Sequence, residues 1–408
     1  MSDRAEPFLP YGRQVVDDDD LRAVAEVLGS DWLTTGPKVD AFEQALAEAA
    51  GAQHAVAVSN GTAALHAAMA ALEIGPGDEV VTPALTFAAS ANCVVYQGGT
   101  PVFADIDSDT LLIDPADVER KLTERTKAIV AVDYAGQPCD YEALEALAKR
   151  HGLALVCDAC HALGGSYHGR RVGSIGDLST FSFHPVKPVT TAEGGAITTD
   201  DERLARRMRT FRNHGITTDH RQRAEQGSWF YEMVELGYNY RLSDLHCALG
   251  ISQLRKLGEF TARRQQLARL YDEAFAEREL IRPLKVADSV EHAYHLYVVR
   301  LGRSVSVGGA SNDELLVAQA LAKHRSTIFS DLREAGIGVN VHYIPVHLHP
   351  YYQQRFGTGP GDLPATEAEY ARILSLPIFP AMTDRDVGRV VEALDRAIES
   401  VLAARHEA

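Results

Sequence analysis

SFHPVKPVTTAEGGAI, residues Ser182 to Ile197, closes an apolar run in Ser-Phe-His and then presents one lysine, Lys187, among turn-forming prolines. It is the end of a longer pattern. From about Ala52 to Thr199, short β-branched runs alternate with Ala- and Leu-rich stretches of helical period, as in a largely parallel sheet with crossover helices. HAVAVS, DEVVTP, TPVFADI, AIVAVD, LALVCDA and STFSF read as strands. Each is almost continuously apolar, as a strand covered on both faces must be. A helix is expected over Thr62 to Leu72. The fold class is therefore α/β. After Arg203 the chain becomes charged and helix-rich, and YHLYVVRL and GIGVNVHYIPV read as strands of a second, smaller unit. The expected division is residues 1–255 as a large domain with the N-terminal segment and 256–408 as a small one. GRSVSVGGASND, Gly302 to Asp313, has the Gly/Ser content of a surface insertion.

The chain has 408 residues, 56 acidic against 40 basic, for a formal net charge of −16. That field repels polyanions, which argues against a nucleic-acid or anionic-membrane partner and requires any phosphate to be captured locally. No apolar run approaches a membrane span, and MSDRAEPFLP lacks a signal-peptide pattern, so a cytoplasmic location is expected. Five cysteines, an odd number without framework spacing, are expected to be reduced thiols.

Three stretches could carry chemistry. Lys187 at a strand end could be a Schiff-base nucleophile, or simply a solvated loop lysine. In LALVCDACHALGG, Asp158 closes a strand three residues before His161. A carboxylate there lies where open α/β sheets bind ligands and could pair with a protonated pyridine nitrogen; it could equally cap a helix. Cys157 and Cys160 have the gap of a metal half-site, but no matching second pair follows, so no metal is expected. In AVAVSNGTAALHAAMAAL, Gly61 and Thr62 open a helix whose N-terminal amides could hold a phosphate. Phe87 in TPALTF could stack on a ring or belong to the core, and Asn239 and Arg241 in GYNYRLSD are candidate polar contacts. The tract VHYIPVHLHPYY gathers His342, His347 and His349, either as metal ligands or as a strand followed by a turn.

Read in order, GTAAL, PALTF, DACHALGG, SFHPVKPVTTAEGG, GYNYRLSD and VHYIPVH resemble the motifs of the DegT/DnrJ/StrS family of nucleotide-sugar aminotransferases over nearly the whole chain. The resemblance implies a fold type I pyridoxal 5'-phosphate (PLP) enzyme: a large domain with a mostly parallel seven-stranded sheet, a smaller C-terminal α+β domain, and a homodimer with shared active sites. Lys187 would bond to the cofactor, Asp158 would pair with its pyridine nitrogen, His161 would lie beside the ring and Phe87 would stack on it. Gly61, Thr62 and Ser182 would hold its phosphate, with Asn239 from the other subunit. His161 stands where many relatives have glutamine, and is shared by a subgroup acting in pseudaminic acid biosynthesis. By that likeness Tyr11, Asp31, Trp32, Leu33, Thr34, Val341, His342, Tyr343 and Ile344 would meet the sugar nucleotide. The implied reaction moves an amino group from L-glutamate to the 4-keto carbon of a UDP-linked 4-keto-6-deoxy sugar. Residue types leave carbon 3, another nucleotide base, or a regulatory relative without turnover open. Dehydrases of the family carry histidine in place of the lysine, which Lys187 speaks against.

Overall fold

The computed structural model describes residues 7–218, 221, 223, 227–302 and 319–406. Apart from Gly302, the segment read as an insertion lies outside them.

The first strands form where both-sided burial demands continuous apolar text: β1 (His54–Val58), β2 (Glu79–Pro83), β3 (Thr100–Ala104), β4 (Thr126–Val132) and β5 (Ala154–Asp158). After two short strands, β6 (Ser166–Tyr167) and β7 (Arg170–Arg171), come β8 (Leu178–Ser182) and β9 (Gly195–Thr199). Seven of these make one sheet in the order β1-β9-β8-β5-β4-β2-β3. All neighbours from β8 to β3 are parallel; β9 alone runs antiparallel to both β1 and β8. β9 has no counterpart among the strand candidates, because Gly194 and Gly195 give its start the look of a turn and only Ala196 and Ile197 are apolar.

The helix after β1 runs Gly61–Ala71, capped by Asn60, whose side chain accepts from Ala63 N at 2.8 Å. Its alanines let it lie close against the sheet: Ala63, Ala64, Leu65, Ala67, Ala68 and Met69 are all buried beside Val56, Val130 and Val156.

Past β9 the chain builds a second sheet from β10 (Ile281–Pro283), β12 (Tyr297–Leu301) and β13 (Ile373–Leu376), antiparallel in the order β10-β12-β13. The two-residue β11 (Val290–Glu291) pairs instead with β6. Tyr271, Leu332, Val390 and Leu394 fill the core behind the second sheet, and Leu9 from the N-terminal end joins them. Helix Leu257–Phe275 connects the two cores: Leu257 and Phe260 pack with Phe42 and Leu46, whereas Leu267, Tyr271 and Phe275 pack in the C-terminal one.

GIGVNVHYIPV is not a strand. It makes two isolated bridges, Leu9 with Ile337 and Asn340 with Ser375. Its other backbone groups are spent elsewhere: the His342 carbonyl accepts from the Tyr134 hydroxyl, Val346 N donates to Ala84 O at 2.8 Å, and Pro345 has no N–H to give.

Candidate active site

A cavity of about 1050 Å³ opens at the carboxyl ends of β1, β2, β5 and β8, where an open α/β sheet presents its ligand crevice. Gly61, Thr62, Phe87, Asp158, His161, Ser182 and Lys187 all line it, as do Tyr11, Val341, His342, Tyr343 and Ile344. Two groups of expected residues are not part of it. Asp31, Trp32, Leu33 and Thr34 lie elsewhere in the same chain, fixed by the Thr34–Ser243 bridge and by Asp244 N donating to Leu33 O at 3.1 Å. Asn239 is exposed and bridges to Asn213.

The floor is built by close backbone approach. A Cβ on Gly61 would sit 2.9 Å from Ser182 Cβ, and one on Gly195 would sit 2.3 Å from both the carbonyl carbon and oxygen of Asn60. Only hydrogen at these two positions lets β9 and the end of β8 press against the first turn of helix Gly61–Ala71. That turn leaves its first amides without intrahelical partners and carries the positive end of the helix dipole. With the hydroxyls of Thr62 and Ser182 alongside, it could cradle an anion.

Asp158 is buried, and no helix follows it, so it is not a helix cap. Its Oδ2 accepts from Ser90 Oγ at 2.7 Å and its Oδ1 from Cys160 N at 3.3 Å. Lys187 is half-buried, with its N–H donating to His184 O at 2.9 Å in the proline-framed turn. Burial pushes its ammonium below the ordinary lysine value, opposed in part by the Asp158 carboxylate, which favours a reactive neutral amine. His161 is buried; its Nε2 lies 3.1 Å from the Tyr343 hydroxyl, and its Nδ1 has no partner. Its ring packs 4.5 Å from that of His295. Burial, reinforced by the Lys187 charge, drives both imidazoles well below the usual histidine value, so they enter the site neutral. Phe87 is 59% exposed at the cavity wall, 5.9 Å from the Tyr343 ring and tilted by 56°.

Ser90, Thr86, His295 and Glu193 also reach the cavity and were not among the expected residues. Ser90 and Thr86 sit in the same PALTFAAS turn as Phe87, which was the one available signal. All five cysteines are free, and among the described residues no three His, Cys, Asp or Glu side chains are grouped to hold a metal. His347 is committed to Glu367, at 3.1 Å.

A half-buried lysine of lowered basicity, a carboxylate at a neighbouring strand end and a helix N-terminus suited to an anion beside them are what a PLP enzyme of fold type I requires. The residues present fit that cofactor: the close packing at Gly61 brings the first turn of its helix up to Ser182 at the cavity, and His161 keeps a buried ring nitrogen without a partner. The chain belongs to the DegT/DnrJ/EryC1/StrS aminotransferase family, whose profile matches residues 14–395. It is similar to the spore coat polysaccharide biosynthesis protein SpsC of Bacillus subtilis, 44% identical over 396 residues that cover 97% of this chain and 98% of that protein. Among solved structures it resembles Helicobacter pylori PseC, an aminotransferase involved in the biosynthesis of pseudaminic acid. That match has a TM-score of 0.86 at 34% identity over 96% of this chain and 100% of the other. The putative sugar aminotransferase Spr1654 of Streptococcus pneumoniae, in its PMP form, matches with a TM-score of 0.87 at 33% identity, again over 96% and 100%. The protein is thus a PLP-dependent sugar aminotransferase.

Proposed function

We propose that the enzyme moves an amino group from L-glutamate to the 4-keto carbon of a nucleotide-linked 4-keto-6-deoxy sugar, with a UDP-linked N-acetylated hexose as the preferred acceptor. The observation that carries this reading is the reach of the cavity. It extends from Lys187 past Phe87 to Tyr11 and the Val341–Ile344 segment, and its volume, about 1050 Å³, exceeds what a cofactor and an amino acid need. The similarity to PseC supports the sugar class.

PLP, when bound, supplies an electron-poor ring that accepts the electron pair released at the donor's α-carbon. The chain's own groups do the rest. Lys187 Nζ would hold the cofactor and would take and return a proton at the reacting carbon. The Asp158 carboxylate would pair with the ring nitrogen, while Gly61, Thr62 and Ser182 would hold the phosphate. His161 and Phe87, which line the same cavity, would contact the ring, with His161 oriented by the Tyr343 hydroxyl. Tyr11 and residues 341–344 line the end of the cavity where the sugar nucleotide binds, far enough from the reacting carbon to contribute binding energy to selectivity.

The working unit in this reading is a homodimer. Trp229, Phe230, Met233, Val234 and Leu236 expose between 56% and 86% of their surface just before Asn239. Such a run is costly to leave in water and is suited to packing on a second copy. Asn239 and the Asp31–Thr34 segment would then enter the partner's cavity. Each chain divides near residue 255 into a large cofactor-binding domain and a small C-terminal one. No helix among the described residues is long and apolar enough to cross a membrane; we assign the enzyme to the cytoplasm.

The test is an absorbance spectrum of the purified protein before and after glutamate, beside Lys187→Ala. A visible band that shifts on adding glutamate, and is absent from K187A, supports the half-reaction. UDP- and dTDP-linked 4-keto sugars offered to the aminated enzyme, with the product's nitrogen located by NMR, then decide acceptor and carbon. A nitrogen at carbon 3 would overturn the proposed regiochemistry.

A further inference from the structure

Asp158 is held by more than its own strand. Ser90 Oγ lies 2.7 Å from Asp158 Oδ2, and Thr86 Oγ1 lies 2.8 Å from Ser90 Oγ. Thr86, Ser90 and Asp158 are exposed by only 2%, 1% and 6%. An ionised carboxylate accepts and does not donate, so the single Ser90 proton points at Asp158. The Ser90 oxygen is left as an acceptor, and Thr86 must be the donor into it. The relay therefore has one direction, Thr86 to Ser90 to Asp158.

Phe87 stands between the two hydroxyls in sequence. The helix that begins there, Ala89–Tyr96, has no side-chain cap at its N-terminus. The relay ties this uncapped start to the end of β5, 68 residues away. It thus joins two surfaces that meet the cofactor: the carboxylate at the end of β5 and the aromatic ring on the turn after β2.

We propose that Ser90 is a positioning residue. Oriented by Thr86, its hydroxyl fixes the Asp158 carboxylate and holds the Phe87 turn at a set distance from it, so that both arrive preassembled at the PLP ring. A buried hydrogen bond between a hydroxyl and a carboxylate is among the stronger side-chain bonds, and losing it leaves the longer bond from Cys160 N, at 3.3 Å, to orient the carboxylate. This inference rests on the reading of Asp158 as the partner of the ring nitrogen.

The experiment titrates the apo forms of wild type, Ser90→Ala, Ser90→Thr, Thr86→Val and Asp158→Asn with PLP. It follows the visible band for Kd and for the pH midpoint of its absorbance, and records the Tm of each apo form. S90A is expected to weaken PLP binding about tenfold and to displace the pH midpoint. S90T keeps the hydroxyl and restores both. T86V keeps the bond to Asp158 but loses the donor behind it, and falls between wild type and S90A. D158N gives the largest change. If S90A binds PLP with wild-type Kd and midpoint while D158N does not, the relay is overturned and the reading of Asp158 stands. If D158N also leaves both unchanged, the reading of Asp158 fails and the relay with it. A fall in apo Tm for S90A with Kd and midpoint unmoved would reduce Ser90 to a packing role and equally refute the proposal. Should S90A not fold, T86V decides: wild-type Kd and midpoint in that variant overturn the relay.

Discussion

Gly195→Ala should separate cofactor binding from general stability. Gly195 is the first residue of β9 and lies between Val58 of β1 and Ser182 of β8. A Cβ there would be 2.3 Å from Asn60 C and O and 2.7 Å from Gly61 N. These are backbone atoms, so no side-chain rotation relieves the contact. Reaching an ordinary carbon contact takes a displacement of roughly 1 Å, and the parts that must yield are the ends of β1 and β9. They carry the turn into Gly61 and Thr62 on one side and face Ser182 on the other. Overpacking of this kind costs roughly 1–3 kcal/mol, and moving a donor by that distance takes its bond to the phosphate out of range. The expected result is a lower Tm for the apo form and PLP affinity reduced by about tenfold or more, since a hydrogen bond to a charged group contributes about 1.5–3 kcal/mol. Gly388→Ala is the control. Gly388 lies in the C-terminal helix Asp384–His406 with nothing within 4 Å of its added Cβ. The same change there should stabilise by roughly 0.5–1 kcal/mol through helix propensity and leave PLP affinity alone. Wild-type PLP binding by G195A, or an equal change of affinity in both variants, would refute the role given to Gly195.

Glu43 is buried, accepts from Ala57 N at 2.9 Å and from Arg209 at 3.2 Å, and also pairs with Arg212; Glu43→Leu should cost roughly 3–5 kcal/mol, and an unchanged urea midpoint would contradict that. For pH, burial depresses His342 and His292 to about 3 and His66 to about 4, below their ordinary 6.5. Their neutral forms are in use, as where His292 Nδ1 accepts from Tyr294 N at 2.8 Å. Because the folded values are lowered, this contribution to stability is complete above pH 6.5 and is lost as pH falls toward 4 and 3. The slope is roughly 1.4 kcal/mol per pH unit for each histidine, and a urea midpoint flat between pH 6.5 and 4 would refute it. Replacing Trp229 and Leu236, 86% and 77% exposed, by serine should shift the protein toward monomer in sedimentation and impair PLP turnover; an unaltered dimer mass would remove these residues from the proposed interface.

How much of this could be read from the text depends on what each pattern encodes. The strands β1 to β5 and β8 were legible because burial on both faces leaves little but apolar residues, whereas the two-residue β6 and β7, the latter an exposed Arg-Arg pair, offered no such run; Lys187 and Asp158 were legible as charged residues following or closing apolar strands, and Gly61 as the opening of an alanine-rich helix. Ser90 carried no such mark. A serine in AASAN has meaning only once the fold brings it 2.7 Å from a carboxylate 68 residues away. His295 was hidden inside the strand-like text of HAYHLYVV until its ring met His161 at 4.5 Å. The opposite error is instructive. GIGVNVHYIPV alternates as a strand does, yet Asn340, Val341, His342, Tyr343 and Ile344 all line the cavity, consecutive residues rather than every second one. A pleat cannot present five neighbours to one side. Local polarity and alternation are therefore a weaker guide where a segment serves a cavity than where it serves a sheet, and the test in such a segment is where its backbone donors and acceptors go. Here the His342 carbonyl goes to Tyr134 and Val346 N to Ala84, so that past the Asn340–Ser375 bridge the chain turns out of the sheet and along the cavity wall.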